Sequence, residues 1–175
     1  MSTTLKWGLI TGMVYVIYTL GSNMLGVPES GNKMLQYGMG ALILVASFFP
    51  IYLGVKEARD QDLGGYLTLG QGFLIGFKIA FIASVINAIF TLIYIEVIDP
   101  EFINKMMAVA EGQWEKAGMA EENLEMARKW SGYFMNPVFF TLMGLLYPLF
   151  WGLIKGLVAG SMLKKDAPPS AMPGA

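Results

Sequence analysis

Cysteine and histidine are both absent from the 175 residues, and only 14% of the chain is charged. The first two absences exclude disulfides, structural zinc, thiolate-held iron–sulfur clusters, His-ligated haem and the Ser-His and Cys-His catalytic pairs. No nucleotide-binding or metal-ligand motif takes their place, so the expectations are no cofactor, no catalytic residue and no enzyme. Four long apolar stretches fill most of the chain instead: Trp7–Leu25, Leu35–Val55, Leu69–Ile98 and Val138–Leu163. About 20 apolar helical residues cross a bilayer, so each stretch is long enough, and 55% hydrophobic residues fit that class better than a soluble domain. The fold expected is an all-α integral membrane four-helix bundle over residues 1–163.

Local signals divide the chain further. Leu25-Gly26-Val27-Pro28-Glu29-Ser30-Gly31 is a short turn that makes the first two helices a hairpin. No small-x-small cleavage site follows the first stretch, which therefore reads as an uncleaved signal-anchor. Pro50 and Pro148 are expected to bend the second and last helices. Asp99-Pro100-Glu101 is a helix-start signal with Asp99 as the cap, opening a helical segment, 99–135, outside the membrane and broken at Gly118. Asn136-Pro137 repeats the cap-then-proline pattern before the last span. Residues 164–175 carry three prolines and little apolar surface and are expected to be disordered.

Orientation follows from Lys and Arg in short flanks. Lys6, Lys56, Arg59, Lys164 and Lys165 lie on the side of both termini. The opposite side carries the eight carboxylates Glu96, Asp99, Glu101, Glu111, Glu115, Glu121, Glu122 and Glu125. The bias places both termini in the cytoplasm of a multi-pass bacterial inner-membrane protein.

Small residues recur where helices can approach closely. Gly152, Gly156 and Gly160 repeat every four residues, and Gly72, Gly76, Ala80, Ser84, Asn87, Ala88 and Thr91 form a second ridge, with Gly8 and Gly12 a shorter third. Packing inside the bundle is the favoured reading over a dimer face. Lys78 and Lys155 are the basic residues inside apolar runs. Boundary anchoring is favoured over a substrate or proton site, and with Lys56 and Arg59 they are candidates for anionic lipid headgroups. The thirteen methionines are dispersed, which fits apolar packing better than copper binding. Glu57, Asp60 and Asp62 read as a solvated turn and not a cation site. In the acidic segment Phe102, Met106, Trp114 and Trp130 are candidates for docking a partner, since an acidic polar face is unusual for a helix lying on lipid.

In order and spacing, Lys56-Glu57-Ala58-Arg59-Asp60, Gly64-Gly65-Tyr66-Leu67-Thr68, Gly72 to Gly76, Ile98-Asp99-Pro100-Glu101-Phe102, Ala117-Gly118-Met119 and Asn136-Pro137 leading to Gly152-Leu153-Ile154 resemble the bacterial membrane-protein family catalogued as domain of unknown function 4199. That resemblance implies the four-helix topology and supplies no catalytic residue. The leading functional expectation is a non-enzymatic accessory or scaffolding subunit, whose partners are membrane lipids and another membrane protein or a second copy, with no nucleic acid. The alternative is a small transporter or channel whose polar path uses Lys78, Gln71, Asn87 and Lys155.

Overall fold

A computed structural model describes residues 1–166, and those residues are helical, with no strand beyond an isolated bridge between Leu67 and Lys165. Helix α1 spans Thr3–Met24, and α2 spans Lys33–Glu57 and runs on through a π-helical turn at Ala58–Asp62. Helix α3 spans Leu69–Ile93 and ends in a π-helical turn at Tyr94–Ile98. Then come α4 (Phe102–Lys116), α5 (Glu121–Phe134) and α6 (Pro137–Leu163).

Among the described residues, three helical segments are long and apolar enough to cross a membrane: Lys33–Asp62, Leu69–Ile98 and Pro137–Leu163. The first apolar stretch, expected as a fourth span, forms α1 but is not among them. Its 22 residues would reach about 33 Å at 1.5 Å per residue. Thr3, Thr4, Thr11, Thr19, Ser22 and Asn23 dilute its hydropathy, and three of these hydroxyl or amide side chains bond back to helix carbonyls: Thr11 to Trp7, Ser22 to Thr19 and Asn23 to Thr19. A polar residue satisfied by its own helix need not reach water, so the helix can still be packed among apolar neighbours.

Helix α3 is the hub. Its most extensive interface is with α6, followed by α1, while α2 packs against all three of the other long helices. Gly72 and Gly76 of α3 face Gly160 and Gly156 of α6, and Gly152 faces Ala80. On the other side of α3, Ile82 and Ile86 rest against Gly8 and Gly12 of α1. Ile79, fully buried, packs with Ile51, Ala80 and Trp7 in the centre.

One end is closed by polar contacts. Lys6 Nζ donates to both carboxylate oxygens of Glu57 at 2.8 and 2.7 Å, and Trp7 Nε1 donates to Glu57 Oε2 at 3.0 Å. This ties the start of α1 to the end of α2. Leu67 and Lys165 exchange backbone hydrogen bonds at 2.9 Å, which ties the entry of α3 to the exit of α6. The polar segment 56–62, expected to leave the membrane as a turn, is helical instead, and Asp60 pairs with Arg59. Lys165 is likewise held by Leu67, a departure from the expected disorder of 164–175; residues 167–175 of that expectation lie outside the described residues.

Helix starts follow local chemistry. Thr68 and Gln71 form a reciprocal capping box at the start of α3. Asn136 Oδ1 accepts from Phe139 N at 2.9 Å and Pro137 takes the first turn of α6, as the cap-then-proline pattern predicts. Asp99 departs from its expected role as a side-chain cap. Its backbone carbonyl accepts from Phe102 N, while its carboxylate accepts from Lys105 Nζ at 2.8 and 3.0 Å.

The hydrogen bond to Asp99 holds Lys105 above the ordinary lysine value of 10.5. A raised folded value means that the pair's contribution is fully present below 10.5 and is lost as the pH rises through the raised value. The start of α4 is therefore expected to be insensitive to pH between about 6 and 9, and to loosen at strongly alkaline pH. Lys105→Met should give the same loosening at neutral pH, read as a change in Trp114 fluorescence.

Candidate functional site

The sequence-derived candidates fall into three separate places. The five glycines Gly72, Gly76, Gly152, Gly156 and Gly160 all lie in the α3–α6 seam, where they allow the two backbones to meet. Their surfaces are consumed inside the protein, so this stripe offers nothing to a partner.

The polar-path residues do not converge. Gln71 is exposed and occupied by its capping box. Lys78 is exposed on the outer side of α3. Asn87 is buried in the α3–α6 seam, where Nδ2 donates to Gly144 O at 2.8 Å and Oδ1 has no partner among the described residues. Lys155 lies elsewhere, between α6, α1 and α2. A continuous path through these four side chains is not present.

Lys155 also departs from the expected boundary placement. It is 6% exposed. Its Nζ donates to Ser47 Oγ of α2 and lies 3.4 Å from Tyr15 Oη of α1, with the Tyr15 ring centroid 5.8 Å away. Ser47 gives its own proton to Ile43 O, which leaves its oxygen free to accept from Lys155. The physical cause lies in the register of α6. Lys155 is three residues after Gly152 and one before Gly156, so seating the glycine stripe on α3 turns Lys155 inward beside it.

Tyr15 and Ser47 were not among the sequence candidates. A signal for each exists: Tyr15 is four residues beyond Thr11 on the face that carries Gly8 and Gly12. Ser47 stands at helical spacing with Ile43, Pro50, Ile51 and Gly54, all of them buried. Lys56 is exposed at the closed end, and Arg59 Nη1 reaches Leu163 O at 3.5 Å. Among the described residues no cluster of three or more acidic side chains is arranged to hold a metal ion.

The segment between α3 and α6 splits the docking candidates. Phe102 is used internally, edge-on to Tyr94 at 5.7 Å and to Phe140 at 5.5 Å, and so fixes α4 to the ends of α3 and α6. Met106 and Trp114 are half-buried. Gly118, at φ 68°, turns the chain into α5, and Arg128 pairs with Glu111 at 2.9 Å across the two helices. Trp130 is 61% exposed, and Met126, Tyr133 and Phe134 are exposed beside it at helical spacing.

The chain matches the family described as "Protein of unknown function (DUF4199)" over residues 6–165. No curated protein and no solved structure matches it.

Proposed function

We propose a function from the premise that the chain belongs to the DUF4199 family of proteins of unknown function: it is a multi-pass integral membrane protein that acts as a non-enzymatic accessory subunit. In this reading α1, α2, α3 and α6 all cross the bacterial inner membrane, and both termini are cytoplasmic. The apolar lengths of α2, α3 and α6 support it. So does the gathering of Lys6, Lys56, Arg59 and Lys165 at the end closed by the Lys6–Glu57 and Leu67–Lys165 contacts.

The observation that carries the accessory role is the uncovered stripe Met126, Trp130, Tyr133 and Phe134 on α5. The glycine seam builds the frame, and this stripe projects from it beyond the spans. Large aromatic side chains recur as anchors at protein interfaces. The occupant in this reading is another membrane protein or a second copy.

The test is purification from native membranes in mild detergent, combined with a photo-crosslinking residue at position 130. A partner, or a second copy, recovered in stoichiometric amount and crosslinked from position 130 is expected. Migration as a single chain with only lipid adducts at that position would overturn the accessory reading.

A further inference from the structure

Helix α6 is packed unevenly about its internal proline. Its buried residues begin at Pro148 and end at Leu163, and none of residues 137–147 is fully buried. In α2 the proline is bracketed instead, with Ile43 and Ser47 buried before Pro50 and Ile51, Gly54 and Val55 buried at and after the next position. Pro50 is therefore clamped on both sides. Pro148 separates a seated half of α6 from an arm with few buried contacts.

Pro148 has no N–H, so the carbonyl of Gly144, four residues earlier, cannot receive its usual helix hydrogen bond. Asn87 of α3 supplies the substitute, with Nδ2 donating to Gly144 O at 2.8 Å. A glycine is needed there, since a β-carbon at position 144 would stand 2.8 Å from Thr91 Oγ1 of α3. The other end of the amide, Asn87 Oδ1, has no partner among the described residues, so the side chain serves this place as a donor. With the bond made, the arm lies against α3. With it broken, a local 3₁₀ or π adjustment of the arm's own backbone can satisfy the freed carbonyl, which gives α6 two arrangements. The arm does not stand alone, because Phe139 near its start packs edge-on to Phe134, the last residue of α5, at 5.3 Å.

We propose that Pro148 is a hinge latched by the Asn87 side chain, about which residues 137–147 and α5 swing as one arm while the glycine seam stays closed. The contacts that yield are Asn87 to Gly144 and the edge-on pair of Phe140 with Phe102 at 5.5 Å. The arm is roughly 16 Å long, and a change of kink by about 20° moves its far end by about 5 Å. The device rests on the two halves of α6 and on Asn87, so it stands whether or not α5 has a partner.

The chain has no cysteine, so spin labels attach only where Val97→Cys and Val138→Cys place them, at the exposed ends of α3 and of the arm. Leu74→Cys and Leu157→Cys, both exposed along the glycine seam, form the control pair. Distance distributions would be recorded by pulsed electron paramagnetic resonance on the full chain in phosphatidylcholine nanodiscs. The hinge pair is expected to show a main distance and a minor, longer one. Asn87→Leu should raise the minor population at least about twofold. Pro148→Ala, which restores the amide that bonds Gly144 O, should remove it, alone and in the Asn87→Leu background, and its effect alone decides if Asn87→Leu does not fold. The control pair should stay unchanged throughout. A wild-type distribution no broader than that of Pro148→Ala, an unchanged distribution in a folded Asn87→Leu protein, or equal broadening of the control pair would overturn the proposal.

Discussion

Gly76→Ala is expected to be among the most damaging single-methyl changes in this protein. A β-carbon at Gly76 would clash with the α-carbon of Gly156, and one at Gly72 would come within 2.5 Å of the α-carbon of Gly160. Backbone atoms cannot rotate aside as a side chain can, so α3 and α6 would have to separate along their most extensive interface. Overpacking of a filled core costs about 1–3 kcal/mol, and the upper part of that range is expected here.

The two sides of the seam are not equivalent. A β-carbon at Gly156 would stop 3.2 Å from the Gly76 α-carbon, and one at Gly160 would stop 3.2 Å from Gly72 and Leu69 backbone atoms. A shift of a few tenths of an ångström relieves those contacts. Gly156→Ala and Gly160→Ala should therefore be milder than Gly76→Ala and Gly72→Ala, whereas Gly156→Leu should abolish folding. Gly40 has open space around it, so Gly40→Ala should be neutral, or stabilising by about 0.5–1 kcal/mol through backbone entropy. Denaturation midpoints of the five alanine variants in one detergent would check the order. A Gly76→Ala protein as stable as the Gly40→Ala control would remove the seam as the organising contact.

The second large effect concerns Lys155, where the partner matters more than the lysine. Ser47→Ala takes away the acceptor of a buried cation-bearing side chain, a loss on the order of 1–3 kcal/mol and more when the stranded group is charged. Lys155→Met removes the group that needs an acceptor and keeps its length. Replacement of buried charged groups by apolar ones of similar volume is often neutral or stabilising by about 1–4 kcal/mol. The expected order of stability is thus Lys155→Met at or above wild type, and Ser47→Ala well below it. In a Lys155→Met background the effect of Ser47→Ala should shrink, the non-additivity that marks two groups in direct contact. Thermal unfolding of the four proteins completes the cycle; full additivity would show that the Ser47–Lys155 contact carries no stability.

Much of the architecture is legible in residue order. Long apolar runs separated by glycine, proline and charge define helices α2, α3 and α6, because backbone groups removed from water must be satisfied within the segment. Asn136-Pro137 marks the start of α6, and Gly118 marks the break between α4 and α5, because each depends on a few adjacent residues. The glycine stripe announces close approach by some helix. Asp99 was misread for the complementary reason: its carboxylate chose Lys105, six residues away, over the nearby backbone N–H groups.

The partners of each face were decided only by the tertiary structure. Lys78 and Lys155 are alike in sequence, each a single basic residue within an apolar run some nine residues from a polar end. Local pattern therefore assigned both to the boundary. Seating Gly72 and Gly76 on Gly160 and Gly156 fixes the rotation of α3 and α6 about their axes, and that rotation sends Lys78 outward and Lys155 inward to Ser47 and Tyr15. Ser47 and Tyr15 are 108 and 140 residues from Lys155 in the chain. No local periodicity can bring together residues so far apart; only the packing of three helices does.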